Sequence, residues 1–206
     1  MNLFYHLNEL DTQLLFWING LRNPLFDWAM PIVTNVGSLI PFALIFIAWR
    51  LFKGNNRERL FWILGIMAIL FGDAICTRLL KPLFARHRPY DVLDNLYLFK
   101  KETWLITTEK IRATLKIKYS MPSCHAINTW TAASYLFLSY KKGGILVTIL
   151  AFLVSYSRIY LGVHYPSDVL LGAVLGIING FWFHFIFQKI YLHNKISNYL
   201  HKDSIQ

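Results

Sequence analysis

The residues able to do chemistry collect in three short stretches. The first is Lys81-Pro-Leu-Phe-Ala-Arg-His-Arg88-Pro89, the second Pro122-Ser123-Cys124-His125. The third is Ser157-Arg158, five further residues, then His164-Tyr-Pro-Ser-Asp168. Three fixed cations and a hydroxyl suit a phosphoryl group. Arginine offers phosphate oxygens planar, forked donors, and lysine offers a point charge. Ser123 and the amides after it fall at an expected helix N-terminus, where free N–H groups and the helix dipole favour an anion. Two histidines can supply a nucleophile and a general acid near neutral pH. Residue types alone do not say which one attacks. Only His164 has a carboxylate, Asp168, at short range to fix its tautomer and raise the basicity of its other nitrogen.

What must position these stretches is a set of apolar blocks. Of 206 residues, 55% are hydrophobic and 16% charged, yet the net charge is +10. This composition excludes a disordered chain or a soluble nucleic-acid arm, and no nucleic-acid partner is expected. The blocks run Trp28–Trp49, Leu60–Leu80, Ala126–Tyr140, Gly143–Ser157 (to Gly162 if Arg158 is included) and Val169–Gln188. A bilayer core takes about 20 helical residues. Five such runs would leave a soluble protein too little polar surface. The expected fold is therefore an all-α integral membrane bundle of about five transmembrane helices. Leu7–Leu21 is too short to cross and reads as an interfacial helix, ended by Asn23-Pro24. The N-terminus lacks a basic region and a clean apolar core, so no cleaved signal peptide is expected.

No internal repeat or linker divides the chain. It reads as a single membrane-embedded domain over 1–206, with an interfacial segment 1–27, a motif-bearing core 60–188 and a tail 189–206. In the 90–121 loop, Ile111 to Tyr119 alternates apolar and polar residues, which predicts a strand. Its nearest partner is Tyr97–Thr108, giving a small β-hairpin. The end of the second run, the start of the third, the end of the fourth and the start of the fifth must share one side of the membrane. The three stretches therefore converge whichever way the protein faces.

These stretches resemble the three signature motifs of the type 2 phosphatidic acid phosphatase family. The family pattern is Lys-x6-Arg-Pro, Pro-Ser-Gly-His and Ser-Arg-x5-His-x3-Asp. The first and third are matched without deviation; in the second, Cys124 stands where the family has Gly. Gly there would allow φ > 0 and a close approach of backbone to phosphate. The resemblance covers about residues 60–188. It implies that His164 attacks phosphorus to form a phosphohistidine, that Asp168 orients it, and that His125 protonates the leaving oxygen and then activates water. Lys81, Arg88, Arg158, Ser123 and the Cys124 amide would hold the phosphoryl oxygens. No metal or other cofactor is implied. The substrate would be a lipid phosphate or diphosphate, with a polyprenyl diphosphate such as undecaprenyl diphosphate first. Lipid A phosphate, phosphatidylglycerophosphate and phosphatidic acid are alternatives, as is phosphotransfer to an alcohol.

Rival readings are weaker. A metal site on Cys124, His125, His164 and Asp168 has poor ligand spacing and three nearby cations. A cysteine phosphatase needs an Arg where Trp130 stands. A transporter would rest on Asp73 and Arg78, which do not face each other well on one helix. Arg78 is expected to join the basic site, and Asp73 to make a polar contact between helices. Arg86 reads as a headgroup-snorkelling side chain. Cys76 reads as a small packing residue, and with two Cys in the chain the redox compartment stays open. His6, His87, His184, His193 and His201 stay unassigned, with His87 inside the first motif.

Charge adds an orientation. Residues 50–59, 141–142 and 189–206, opposite the site, carry nine basic and two acidic residues. The site face carries eleven basic and eight acidic over a longer stretch. The positive-inside rule makes the dense side cytoplasmic and turns the site to the periplasm or exterior of a bacterial plasma membrane.

Overall fold

The computed structural model describes residues 2–35, 37, 40–115 and 119–203. Helices α1 (Asn2–Asn19), α2 (Pro24–Thr34) and α3 (Ile40–Lys53) precede a long helix. That helix runs as α4 (Asn56–Ile75), passes through a π-helical turn at Cys76–Leu80, and ends as α5 (Lys81–Phe84). A loop region follows, with α6 (Pro89–Val92), β1 (Tyr97–Lys100), β2 (Thr103–Ile106) and α7 (Glu109–Arg112). Helices α8 (Cys124–Ser139), α9 (Lys141–Tyr160) and α10 (Pro166–Asp203) complete the chain.

Among the described residues, three helices are long and apolar enough to cross a bilayer: Asn56–Phe84, Lys141–Tyr160 and Pro166–His193. Helices α8 and α3, of 16 and 14 residues, are shorter. The expected single span Trp28–Trp49 is corrected, because the run is divided between α2 and α3. The reason lies in Thr34-Asn35-Val-Gly37-Ser38. Its polar and glycine residues favour turns over helix, and Pro41, lacking an N–H, suits a first helical turn.

The loop hairpin is present, but elsewhere than expected. β1 pairs antiparallel with β2, Tyr97 opposite Ile106 and Lys100 opposite Thr103. Lys101 and Glu102 between them both take positive φ, 50° and 61°, as a two-residue hairpin turn requires. The alternating stretch does not form the predicted strand. Thr108 caps α7, accepting from the Ile111 amide, and so turns Glu109–Arg112 helical. Residues 116–118 of that prediction lie outside the described residues, and Tyr119 forms an isolated bridge with His87.

Two packing devices set the site. Helix α10 carries Gly172, Gly176 and Gly180 against α8; a Cβ on Gly172 would sit 2.6 Å from the Ser123 carbonyl oxygen, and one on Gly176 2.5 Å from that of Ile127. Such small-residue stripes let two helix backbones approach closely. A polar seam runs beside them. Asn128 on α8 donates to Asp73 on α4 (2.9 Å), and Asn179 on α10 donates to the Ala68 carbonyl (2.8 Å). Asp73 therefore makes the expected contact between helices.

The second device is a disulfide between Cys76 and Cys124, which joins the π-helical turn to the first residue of α8. This corrects one expectation: Cys76 is not merely a packing residue.

Candidate active site

The second motif is built on a helix start. Ser123 is the N-cap of α8, its Oγ accepting from the Ala126 amide at 3.5 Å, and its own N–H donates to the Asp168 carbonyl (3.0 Å). Cys124 follows as the first helical residue and is not among the positive-φ positions. The backbone here does not need the freedom of glycine, so Cys is conformationally accommodated.

The third motif turns at Gly162, whose φ is +71°. A Cβ there would lie 2.4 Å from the Tyr97 carbonyl oxygen, so a side chain is excluded by both conformation and space. The turn folds the chain back so that the amides of Val163 and His164 both donate to the Arg158 carbonyl (3.2 Å each). His164 thereby lies against the residue that opens its own motif. Asp168 sits in the first turn of α10, with its side chain fully buried.

The His164–Asp168 pair is present, and it has company. Nδ1 of His164 lies 3.5 Å from Oδ2 of Asp168. The Ser120 hydroxyl donates to the same Oδ2 and stands 3.3 Å from the same Nδ1. The Tyr165 amide also donates to Oδ2 (2.9 Å), while Arg86 reaches Oδ1 (3.0 Å). With Nδ1 committed to this group, Nε2 is the nitrogen left to act.

The first motif converges from the far side. Lys81 Nζ and Arg88 Nε both donate to the Tyr119 carbonyl, at 2.8 and 3.3 Å. Arg158 donates through Nη1 to the Thr34 hydroxyl at the end of α2, and its buried Nε has no hydrogen-bond partner among the described residues. A buried arginine N–H left unpaired by the fold is a donor available to an anion. The break in the first apolar run thus abuts the site.

Electrostatics agree with the convergence. Burial, and then Arg88, Arg158, Lys81 and His125, hold the His164 imidazole well below its ordinary range. His125 follows Cys124 in the first turn of α8. Burial, then Arg158, Arg88 and Lys81, lower it to about 3. Both rings feel the same three cations, so the three motifs form one basic pocket.

The structure therefore brings together Lys81, Arg88, Ser123, Cys124, His125, Arg158, His164 and Asp168. Arg78 is a correction: it is exposed on the helix surface and is absent from the cations that act on the two histidines. Arg86 is another. It pairs with Asp11 (2.7 Å) and Asp168 (3.0 Å) rather than reaching toward headgroups. Sequence reasoning also missed Ser120 and Asp11. Ser120 precedes the second motif by two residues and has no distinguishing pattern. Asp11, which is 6% exposed, lies in a helix that also carries Asn8, Glu9, Thr12 and Gln13, so nothing along the chain singles it out.

Residues 59–191 match the family model of the PAP2 superfamily, a span that contains all three motifs. The chain belongs to the PAP2 superfamily. It is 31% identical to a lipid A 4'-phosphatase of Bacteroides thetaiotaomicron over 191 residues, covering 89% of this chain and 80% of that one. It is 33% identical to the bacitracin transport permease protein BcrC of Bacillus licheniformis, over 92% of this chain and 90% of the relative. An undecaprenyl-diphosphatase BcrC of Bacillus subtilis is 27% identical, over 81% and 78%. Among solved structures, LpxE of Aquifex aeolicus superposes with a TM-score of 0.62 at 28% identity, covering 84% of this chain and 94% of that one. The chain is a multi-pass membrane enzyme, a lipid phosphate phosphatase of this superfamily.

Proposed function

We propose that the enzyme hydrolyses a polyprenyl diphosphate, such as undecaprenyl diphosphate, through a phosphohistidine on His164. The observation that carries the mechanism is the buried His164 ring, with Nδ1 held by Asp168 and Ser120 and its surroundings lined by Lys81, Arg88 and Arg158.

In the first step Nε2 of His164 attacks phosphorus. The N–P bond forms, the bridging P–O bond breaks, and protonated His125 gives its proton to the leaving oxygen. Charge on the equatorial oxygens is met by Lys81, Arg88, Arg158, Ser123 and the Cys124 amide, groups already fixed in place. In the second step neutral His125 takes a proton from water, which attacks phosphorus and breaks the N–P bond. Phosphate leaves and both histidines are restored. The depressed His125 fits this cycle: burial first, and then Arg158, Arg88 and Lys81, hold it near 3, and a bound phosphoryl dianion neutralises those cations. Substrate thus promotes protonation of its own acid.

Asp168 and Ser120 serve the reaction by fixing the His164 tautomer. The lipid tail would lie among the exposed apolar side chains of the helices, with the headgroup reaching the pocket from the interface. The relatives include lipid A 4'-phosphatases, undecaprenyl-diphosphatases and a phosphatidylglycerophosphatase, and lipid A 4'-phosphate is the second reading, favoured by the identity over most of the chain to the Bacteroides enzyme.

The site faces the periplasm or exterior of the plasma membrane in this reading. Two independent features support it. Positive charge is concentrated on the opposite face, and the disulfide joins the start of α8 to the end of α4 on the site face. Such bonds persist in oxidising compartments. Phosphate release by purified protein in detergent, across undecaprenyl diphosphate, lipid A, phosphatidylglycerophosphate and phosphatidic acid, tests the proposal with His164→Ala as blank. Loss of at least about 10³-fold in kcat is expected for the blank. Near-normal turnover there would reject the phosphohistidine. Faster release from lipid A than from the diphosphate would replace the substrate.

A further inference from the structure

Arg86 lies between two carboxylates that belong to distant parts of the chain. Its Nη1 donates to Oδ1 of Asp168 (3.0 Å) and to the Ser167 hydroxyl (2.7 Å). Its Nη2 donates to Oδ2 of Asp11 (2.7 Å) and to Oδ1 of Asn8 (3.0 Å), both on α1. Each terminal guanidinium nitrogen carries two hydrogens. All four are therefore spent inside the protein. The face of the guanidinium lies 3.8 Å from the centre of the Tyr165 ring. Little of Arg86 remains to meet a phosphoryl oxygen or a lipid headgroup, unlike Arg158 with its unpaired Nε.

Asp11 is equally committed. It accepts the Ser167 amide (2.8 Å) and the Ser167 hydroxyl, besides Arg86. Ser167 adjoins Asp168 in the first turn of α10. A second anchor fixes the far end of α1: buried Asn19 donates to the carbonyls of Tyr97 (2.8 Å) and Tyr160 (2.7 Å) and accepts from the Tyr97 amide (3.0 Å). The opposite face of α1 leaves Leu10, Leu14 and Trp17 exposed. Polar contacts, not only apolar ones, therefore dock this helix beside the third motif.

We infer that Arg86 is the positioning residue of the Asp168 carboxylate, and that Asp11 of the N-terminal helix holds Arg86 in place, so that α1 forms part of the catalytic apparatus. This rests on the reading of His164 as nucleophile. Arg86 fixes Oδ1 so that Oδ2 faces Nδ1 of His164, and its positive charge opposes the cost of burying that carboxylate. Around Asp168 the charged and titratable groups are Arg86 and, through it, Asp11, with His164 and Tyr165. Arg86 is therefore the direct countercharge. Asp11 acts at one remove.

The test is steady-state kinetics on the full-length protein in detergent, with the lipid substrate from the release panel. Arg86→Ala should lower kcat by roughly 10- to 100-fold, as for loss of a group that orients a catalytic side chain, with KM changed by less than about 3-fold. Arg86→Lys should recover part of kcat, since it restores charge without the fork. Asp11→Asn should give a smaller loss of the same kind. The double variant Asp11→Asn with Arg86→Ala should be no slower than Arg86→Ala alone, because Asp11 acts through Arg86. A rise in KM at unchanged kcat would make Arg86 a substrate contact and overturn the inference. So would multiplicative losses in the double variant, or no loss at all. If Arg86→Ala does not fold, Arg86→Lys and Asp11→Asn decide: unchanged kcat in both overturns it. Retained turnover in His164→Ala would instead reject the underlying mechanism, whatever the Arg86 series shows.

Discussion

Ser120 stands between His164 and Asp168. Its hydroxyl donates to Oδ2 of Asp168 and lies 3.3 Å from Nδ1 of His164, while the two principal partners are 3.5 Å apart. The carboxylate is thus coupled to the imidazole both directly and through a hydroxyl. Ser120 is fully buried, with its amide bonded to the Arg86 carbonyl (2.7 Å).

Replacing Ser120 with Ala should therefore cost kcat rather than KM. The carboxylate keeps Arg86 and the Tyr165 amide, so the loss should be about 10-fold, well short of removing the nucleophile. Substrate titrations of wild type and variant check it. A change confined to KM would place Ser120 in the substrate-binding wall instead.

The pH profile follows from the basic pocket. Burial first, then Arg88, Arg158, Lys81 and His125, depress the His164 imidazole well below 6.5. The nucleophile is active when neutral, and a depressed group stays neutral to lower pH. The acid limb of kcat/KM, which reports the free enzyme, should therefore fall below pH 6.5 once titration of the substrate phosphate is allowed for. Arg88→Ala removes the largest cationic contribution and should move that limb to higher pH, besides weakening the rate. A limb that stays at or above pH 6.5 in the wild type would contradict the electrostatics.

How much of this the sequence displayed depends on the range of the interactions. The motifs were readable because their spacing is local: Ser157-Arg158 through Asp168 is one turn of chain between two helices. The shared face followed from topology alone. The apolar blocks located α4, α8, α9 and α10, but block composition hides the division between α2, ending at Thr34, and α3, starting at Ile40, because no charge marks it. The alternation of Ile111 to Tyr119 misled because period two in nine residues cannot outweigh a local cap at Thr108. Arg86, Asp11 and Ser120 were not legible. Their partners lie 75, 82 and 48 positions away, and side chains that meet only in space carry no pattern along the chain. The Cys76–Cys124 pair was hidden for the same reason.

That disulfide should be a structural staple. It closes a segment of 48 residues containing the whole 90–121 loop and ties the π-helical turn to the start of α8. In soluble chains, closing a loop of this size contributes roughly 3–4 kcal/mol. Helices already confined to a membrane have less entropy to lose, so a smaller gain is expected. Cys76→Ser with Cys124→Ser should lower the Tm in detergent measurably and leave the Cys124 amide in place, so that activity persists below the lowered Tm. Thiol counting before and after reduction establishes that the bond is present, and an unchanged Tm would remove its structural role.

The close approach of α8 and α10 makes the sharpest structural prediction. Gly172 lies one turn after Asp168, and a Cβ there would meet the Ser123 carbonyl at 2.6 Å and the Ala126 Cβ at 2.9 Å. The first of these is backbone and cannot turn aside. Gly172→Val must therefore push the start of α8 away from α10, and the Ser123 amide away from the Asp168 carbonyl it now meets at 3.0 Å. Overpacking of this sort costs about 1–3 kcal/mol. The catalytic loss should exceed the loss of stability in effect, because Ser123, Cys124 and His125 move together relative to His164, and a misplacement of about 1 Å can cost around 100-fold. Gly143→Ala serves as a control: its Cβ would come no closer than 3.9 Å to the Tyr140 Cβ, an ordinary contact. The comparison is kcat and Tm for both variants. Equal activity in the two would show that the α8–α10 spacing does not set the geometry of the site.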